Sequence, residues 1–156
     1  MVREVILSGG DPLGLTNSRL NTLFDYIKRL SFVKRVRIHS RFPVLVPERV
    51  TPPLLEALAR LQESGKSLFL VFHLNHPAEI NDRVMDVFRR FARLGITLLS
   101  QTVLLRGIND DPKILADLYE KIAEASVLPY YLHQLDRVSG AAHFEVPTDR
   151  GLANME

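Results

Sequence analysis

Apolar positions along the chain alternate between two periods. Leu20, Leu23, Phe24, Ile27 and Leu30 recur every three or four residues, the spacing of a helix with one buried face. The same spacing returns at Leu54, Leu55, Leu58 and Leu61, at Ile80, Val84, Val87, Phe88, Phe91 and Leu94, and at Ile114, Leu115, Leu118 and Ile122. Between these stretches lie shorter apolar runs at residues 4–8, 33–40, 68–72, 96–102 and 128–133. Their length and bounding turn residues predict strands. Thr51 before Pro52 reads as a helix cap with proline in the first turn, and Asp111-Pro112 opens the last of the four helices. Gly65 and Gly95 close two of them.

Strand and helix therefore alternate with short connections, which predicts an α/β fold with a parallel sheet and crossover helices. Five strands do not close an eight-stranded barrel. An open doubly wound sheet and a partial (β/α) barrel both fit the count. Residues 1–156 read as one domain. Nothing leads into the first strand and no strand closes residues 149–156, so the expectation is a fragment cut at both ends.

The polar positions gather at the strand ends. The first strand runs into Ser8, Gly9, Gly10 and Asp11; the second ends in His39, Ser40 and Arg41; the third in His73, Asn75 and His76; the fourth in Ser100 and Gln101; the fifth in His133, Gln134 and Asp136. In a parallel sheet these ends share one rim, where α/β folds bind ligands. Gly9-Gly10-Asp11-Pro12 alone is equally compatible with a plain turn. Arg35, Arg37, His39 and Arg41 have one parity and Val36 and Ile38 the other. That basic face suits a carboxylate or phosphate in a lumen, or solvent on an edge strand. Asp136 suits an ammonium, or is a turn aspartate.

Composition removes several classes. Hydrophobic residues make up 46% and charged residues 24% of 156, a globular balance. A formal net charge of +2 gives no case for nucleic acid. No apolar run has the length of a membrane span, and no signal-peptide pattern opens the chain, so the default expectation is cytoplasmic. The absence of cysteine removes disulfides, thiolate metal sites and cysteine nucleophiles. His73 and His76 are spaced as a ligand pair only on a helix, and no acidic partner stands at a zinc spacing, so no metal is assigned. Ser8 and Ser40 lack a nucleophile elbow, and Gly9-Gly10 is not a phosphate loop.

Five blocks, Leu7 to Leu13, Arg37 to Pro43, His73 to Ile80, Gln101 to Asp110 and Pro129 to Asp136, together resemble the lysine 2,3-aminomutase family of radical S-adenosylmethionine (SAM) enzymes. Gly140-Ala141-Ala142-His143-Phe144 and His39-Ser40-Arg41 look most like the branch that supplies β-lysine to elongation factor P. The resemblance implies a partial TIM-like barrel of the radical SAM type. It also implies SAM, a [4Fe-4S] cluster and pyridoxal 5′-phosphate (PLP) as cofactors, and conversion of L-α-lysine to β-lysine by 1,2-amino migration. Residue by residue it implies that Gly9, Gly10, Asp11, His73 and Gln101 bind SAM, the first three at its amino end, and that Asp136 grips the lysine ε-ammonium. Tyr130, Tyr131 and Gln134 fall where the family lines its pocket, without assigned roles.

The chain departs from the family in two respects. The cluster cysteines are absent, and none of Lys28, Lys34, Lys66, Lys113 or Lys121 sits in the PLP-lysine motif. No residue is therefore assigned a catalytic step, and the chain alone is expected to be inactive. Two other readings are a SAM- or partner-binding fragment without catalysis, and an unrelated barrel enzyme acting on a phosphorylated small molecule.

Overall fold

The structure is a computed structural model that describes residues 2–153. Its elements follow the predicted alternation: β1 (Glu4–Leu7), α1 (Asn17–Arg29), β2 (Arg35–Ser40), α2 (Phe42–Leu45), α3 (Pro52–Glu63), β3 (Ser67–His73), α4 (Asp82–Arg93), β4 (Thr97–Val103), α5 (Pro112–Glu124), β5 (Val127–His133) and α6 (Thr148–Ala153). The five strands form one parallel sheet in the order β1-β2-β3-β4-β5. Each helix that joins neighbouring strands returns the chain to the same end of the sheet, so every strand's carboxyl end reaches one rim.

One sheet face carries the core. Val36 and Ile38 are fully buried, as are Leu68, Leu70 and Phe72 on β3 and Leu98 on β4. Against them pack Leu20, Phe24 and Ile27 of α1, Leu54, Leu58 and Leu61 of α3, Val84, Phe88 and Phe91 of α4, and Leu118 and Ile122 of α5. The Phe72 ring lies 4.7 Å from Phe88 and 6.0 Å from Phe91, centroid to centroid. A small satellite of Leu104, Leu115 and Val146 ties the segment after β5 back to α5. No described helix is long and apolar enough to cross a membrane.

The opposite face is concave and polar. Arg37 Nη1 on β2 donates to Tyr130 Oη on β5 at 3.0 Å, although β3 and β4 lie between. Arg37 is level with Phe69 and Thr97, while Tyr130 stands beside the Gln101–Tyr131 pair further along. Three strand spacings of about 4.8 Å each plus that offset are too far for this contact across a flat sheet, so the sheet curls as a barrel wall does.

Two readings from the sequence need correction. Thr51 stands at the cap of α3, yet its side chain caps nothing; Pro52 and Pro53 have already removed two of the amides that a cap serves. Residues 42–45, too short to show a period, form α2 with Pro43 in its first turn. Arg41 does not continue the β2 face: its backbone is helical at the entrance to α2, and its side chain crosses to Glu79.

Candidate functional site

The ends of β1 to β4 enclose an open cavity of about 250 Å³, lined by Ser8, Gly9, Gly10, Asp11, His39, Ser40, Arg41, His73 and Gln101. Larger hollows of about 480 and 530 Å³ lie on the helical exterior and at the opposite ends of β3 and β4. Neither gathers converging strand ends. The sequence-selected Gly9, Gly10, Asp11, His73 and Gln101 thus do come together.

Gly9 and Gly10 turn the chain at φ of +82° and +59°, with nothing within 4 Å of a built Cβ. Glycine is needed there for its backbone angle, not for space. Their amides and carbonyls have no hydrogen-bond partner among the described residues, so the loop offers both donors and acceptors, as a zwitterion requires.

Asp11 plays a different part. Its Oδ1 accepts from the Leu13 amide at 3.1 Å and the Ser40 hydroxyl at 2.5 Å; its Oδ2 accepts from the amides of Arg41 at 2.7 Å and Phe42 at 3.0 Å. With all four bonds made inside the protein, the carboxylate joins the β1 loop to the β2–α2 turn. What the loop offers a ligand is the glycine backbone.

The β3 end is set by two carboxamides and a carboxylate. Asn75 Oδ1 accepts from the Val103 amide at 2.9 Å, which identifies that atom as oxygen, so His73 Nε2 donates to it at 3.2 Å. Asn109, fully buried, donates from Nδ2 to Asn75 O and Val103 O and accepts the Leu105 amide on Oδ1. Glu79 Oε1 accepts the amides of Asn75 and His76, while its Oε2 takes Arg41. His76 Nδ1 accepts the Ala78 amide, so that ring caps a short turn. Among the described residues no cluster of three or more His, Asp or Glu is arranged for a metal. The sequence pattern picked out Asn75 only as a polar strand end and missed the Asn75–Asn109 and Glu79 frame.

Burial pushes the His73 imidazole below its ordinary value near 6.5; Arg41 adds to this, while the Asn75 hydrogen bond opposes it. Burial likewise lowers His39 against its Gln101 hydrogen bond, with Arg37 and His133 adding to the shift. Both shifts favour the neutral ring. With folded values below the unfolded one, the unfolded chain binds more protons as pH falls through about 6.5, so stability drops there. Urea midpoints are expected to be lower at pH 5.5 than at pH 8, with the difference reduced in His73→Gln; an unchanged difference would contradict these assignments.

The β5 end lies at the margin of the cavity: His133 is near enough to act on both His39 and His73 but is not among the lining residues. Asp136 is exposed, with no side-chain partner among the described residues, and borders a separate hollow of about 310 Å³ with Leu135, Ala141 and Glu145. Gln134 donates to Val146 O. Of the five strand ends, four line the cavity and the fifth brings His133 to its edge while Asp136 lies in the separate hollow. Tyr130 and Tyr131 are on the concave side together because the β4–β5 register skips a residue: Ser100 pairs with Pro129 and Gln101 with Tyr131. Such a bulge breaks the parity of the strand. The hydroxyls lie 3.1 Å apart, and Arg37, ion-paired to Glu4 at 2.7 Å, sits over the Tyr130 ring.

The donor set of the cavity fits the amino-acid end of SAM. It does not fit an iron–sulfur cluster, since there is no cysteine. It does not fit a PLP-binding lysine either: Lys66 Nζ is held by the Leu30 and Val33 carbonyls, Lys121 Nζ by Pro77 O, Lys28 Nζ by Asp25, and no lysine lines the cavity.

No protein-family profile matches the chain. Its fold is similar to a domain of pyruvate-formate lyase-activating enzyme from Bacteroides vulgatus, with a TM-score of 0.62 at 16% identity, covering 99% of this chain and 91% of that one. In sequence it is 44% identical over 146 residues to the L-lysine 2,3-aminomutase of Escherichia coli, covering 94% of this chain and 42% of that protein. It is 36% identical over 155 residues to that of Clostridium subterminale, covering 99% and 36%. The chain thus spans about two fifths of the length of these relatives. Over that span it is similar in sequence to L-lysine 2,3-aminomutases, and its likeness to the activating-enzyme domain is one of fold.

Proposed function

We propose that this chain forms the SAM-cradling part of a lysine 2,3-aminomutase, the enzyme that converts L-α-lysine to β-lysine. The observation that carries the proposal is the unpaired backbone of Gly9 and Gly10 lining one small cavity with the Gln101 carboxamide and His73. Free loop carbonyls suit the SAM ammonium; free amides and the Gln101 amide nitrogen suit its carboxylate. Asp136, exposed and unpartnered, would take the lysine ε-ammonium by a charge-assisted bond. SAM supplies radical-generating chemistry once a reduced iron–sulfur cluster is beside it; the ligands of that cluster and the PLP lysine are not among these residues. This chain's own part is to bind and orient. The Gly140 to Phe144 stretch and His39-Ser40-Arg41 support the branch whose β-lysine is destined for elongation factor P.

Titration calorimetry with SAM is expected to show saturable binding, weakened about tenfold by Gln101→Ala, the worth of one hydrogen bond to a charged group. Absence of saturable heat would overturn the reading. Incubation of the chain with iron, sulfide, SAM, PLP and lysine is expected to yield no β-lysine. Product from this chain alone would refute the assignment of cluster and PLP ligands elsewhere.

A further inference from the structure

We propose that His39 is a positioning residue for Gln101. By donating Nδ1–H to Gln101 Oε1, it turns the Gln101 amide nitrogen toward the strand-end cavity, ready for a ligand oxygen. The inference deepens the SAM reading and rests on it. His39 and Gln101 belong to β2 and β4, and their side chains meet over β3, with Nδ1 and Oε1 3.2 Å apart. Val71, the β3 partner of both His39 and Leu99, is 0% exposed beneath them.

A glutamine carboxamide has an acceptor end and a donor end, and a carbonyl oxygen cannot donate. The ring nitrogen facing Oε1 must therefore carry the proton, which leaves the lone pair of the neutral ring on Nε2. That atom is buried and has no partner among the described residues. Arg37 stands two residues back on the same face of β2, and its positive charge favours a lone pair over an N–H there. The other tautomer would set lone pair against lone pair at Gln101 and bury an unpaired N–H. Tautomer and carboxamide orientation thus support one another. With Oε1 engaged, the Gln101 nitrogen has no protein partner among the described residues and is free for a ligand. An untethered glutamine would have to give up its rotamer freedom on binding.

Three measurements on the whole chain test this. Histidine ring-nitrogen chemical shifts, recorded without ligand, are expected to show His39 as the Nδ1–H tautomer; an Nε2–H tautomer overturns the inference whether or not SAM binds. SAM affinity is expected to fall about tenfold in His39→Phe, as for loss of one orienting hydrogen bond. It should stay within about threefold of the parent in His39→Asn, whose amide nitrogen replaces Nδ1 as donor. His39→Phe/Gln101→Ala is expected to bind no worse than Gln101→Ala alone, because the two act as one unit. Parental affinity in His39→Phe, or losses that add in the double variant, would overturn the positioning role while leaving SAM binding intact. Failure of the unmodified chain to bind SAM would instead defeat the functional reading.

Discussion

Asp11→Ala is expected to lower the unfolding free energy by about 2–4 kcal/mol, the range for losing an acceptor that serves several partly buried donors, and to abolish SAM binding. The Ser40 hydroxyl and the amides of Leu13 and Arg41 lose their acceptor at once, and the Phe42 amide keeps only Ser40 Oγ at 3.2 Å. The β1 loop then loses its tie to the β2–α2 turn, and the glycine backbone loses the geometry that aims it at the cavity. Asp11→Asn is expected to recover little, because an amide nitrogen would face donors that need an acceptor. Urea unfolding and SAM calorimetry on the two variants check both halves. Parental stability with lost binding would return Asp11 to a direct ligand contact, as the family resemblance implies.

Asn109→Asp is the second large effect expected, again about 2–4 kcal/mol, because a buried carboxylate would be set against two carbonyls. The asparagine is fully buried and holds Leu105 N, Asn75 O and Val103 O together at 2.7, 2.8 and 2.9 Å. Aspartate keeps the acceptor for Leu105 but turns both donors into an oxygen. Asn109→Leu is expected to destabilise less, since it leaves polar groups unpaired without adding charge. Amide hydrogen exchange should locate the damage: Leu105 and Val103 are expected to exchange faster while the amides of α1 keep their protection. Uniform acceleration across the chain would instead mean that Asn109 supports the whole fold.

Much of this architecture is written in contiguous residues. Helical and strand periods each span a single element, so four helices and five strands could be placed from apolar spacing alone. The β2 face could also be read, because Val36 and Ile38 alternate with Arg35, Arg37 and His39. The boundaries moved by one or two residues, as at β2, which begins at Arg35 rather than Val33. The short α2 escaped notice because a single turn with Pro43 in it has no period to show.

The strand-end polar groups of the first four strands were legible for the same reason: each lies beside its own strand. What each polar group does was not. Asp11 meets its partners on β2 and α2 across 29 to 31 residues, and Arg37 meets Tyr130 across 93. Such pairings depend on strand register and sheet curvature, which no local pattern encodes. The bulge opposite Ser100 and Gln101 puts Tyr130 and Tyr131 on one side, where parity alone would separate them. By itself, then, the sequence determined the alternation of βα units, the buried and polar faces, and the residue types waiting at the rim, because these follow from hydrophobic period and backbone direction. Only the tertiary structure decided that Asp11 is spent as a brace, that the backbone of Gly9 and Gly10 is left free, that His39 engages Gln101, and that Asp136 stands apart, because hydrogen bonds are allotted by which distant groups the curved sheet brings together.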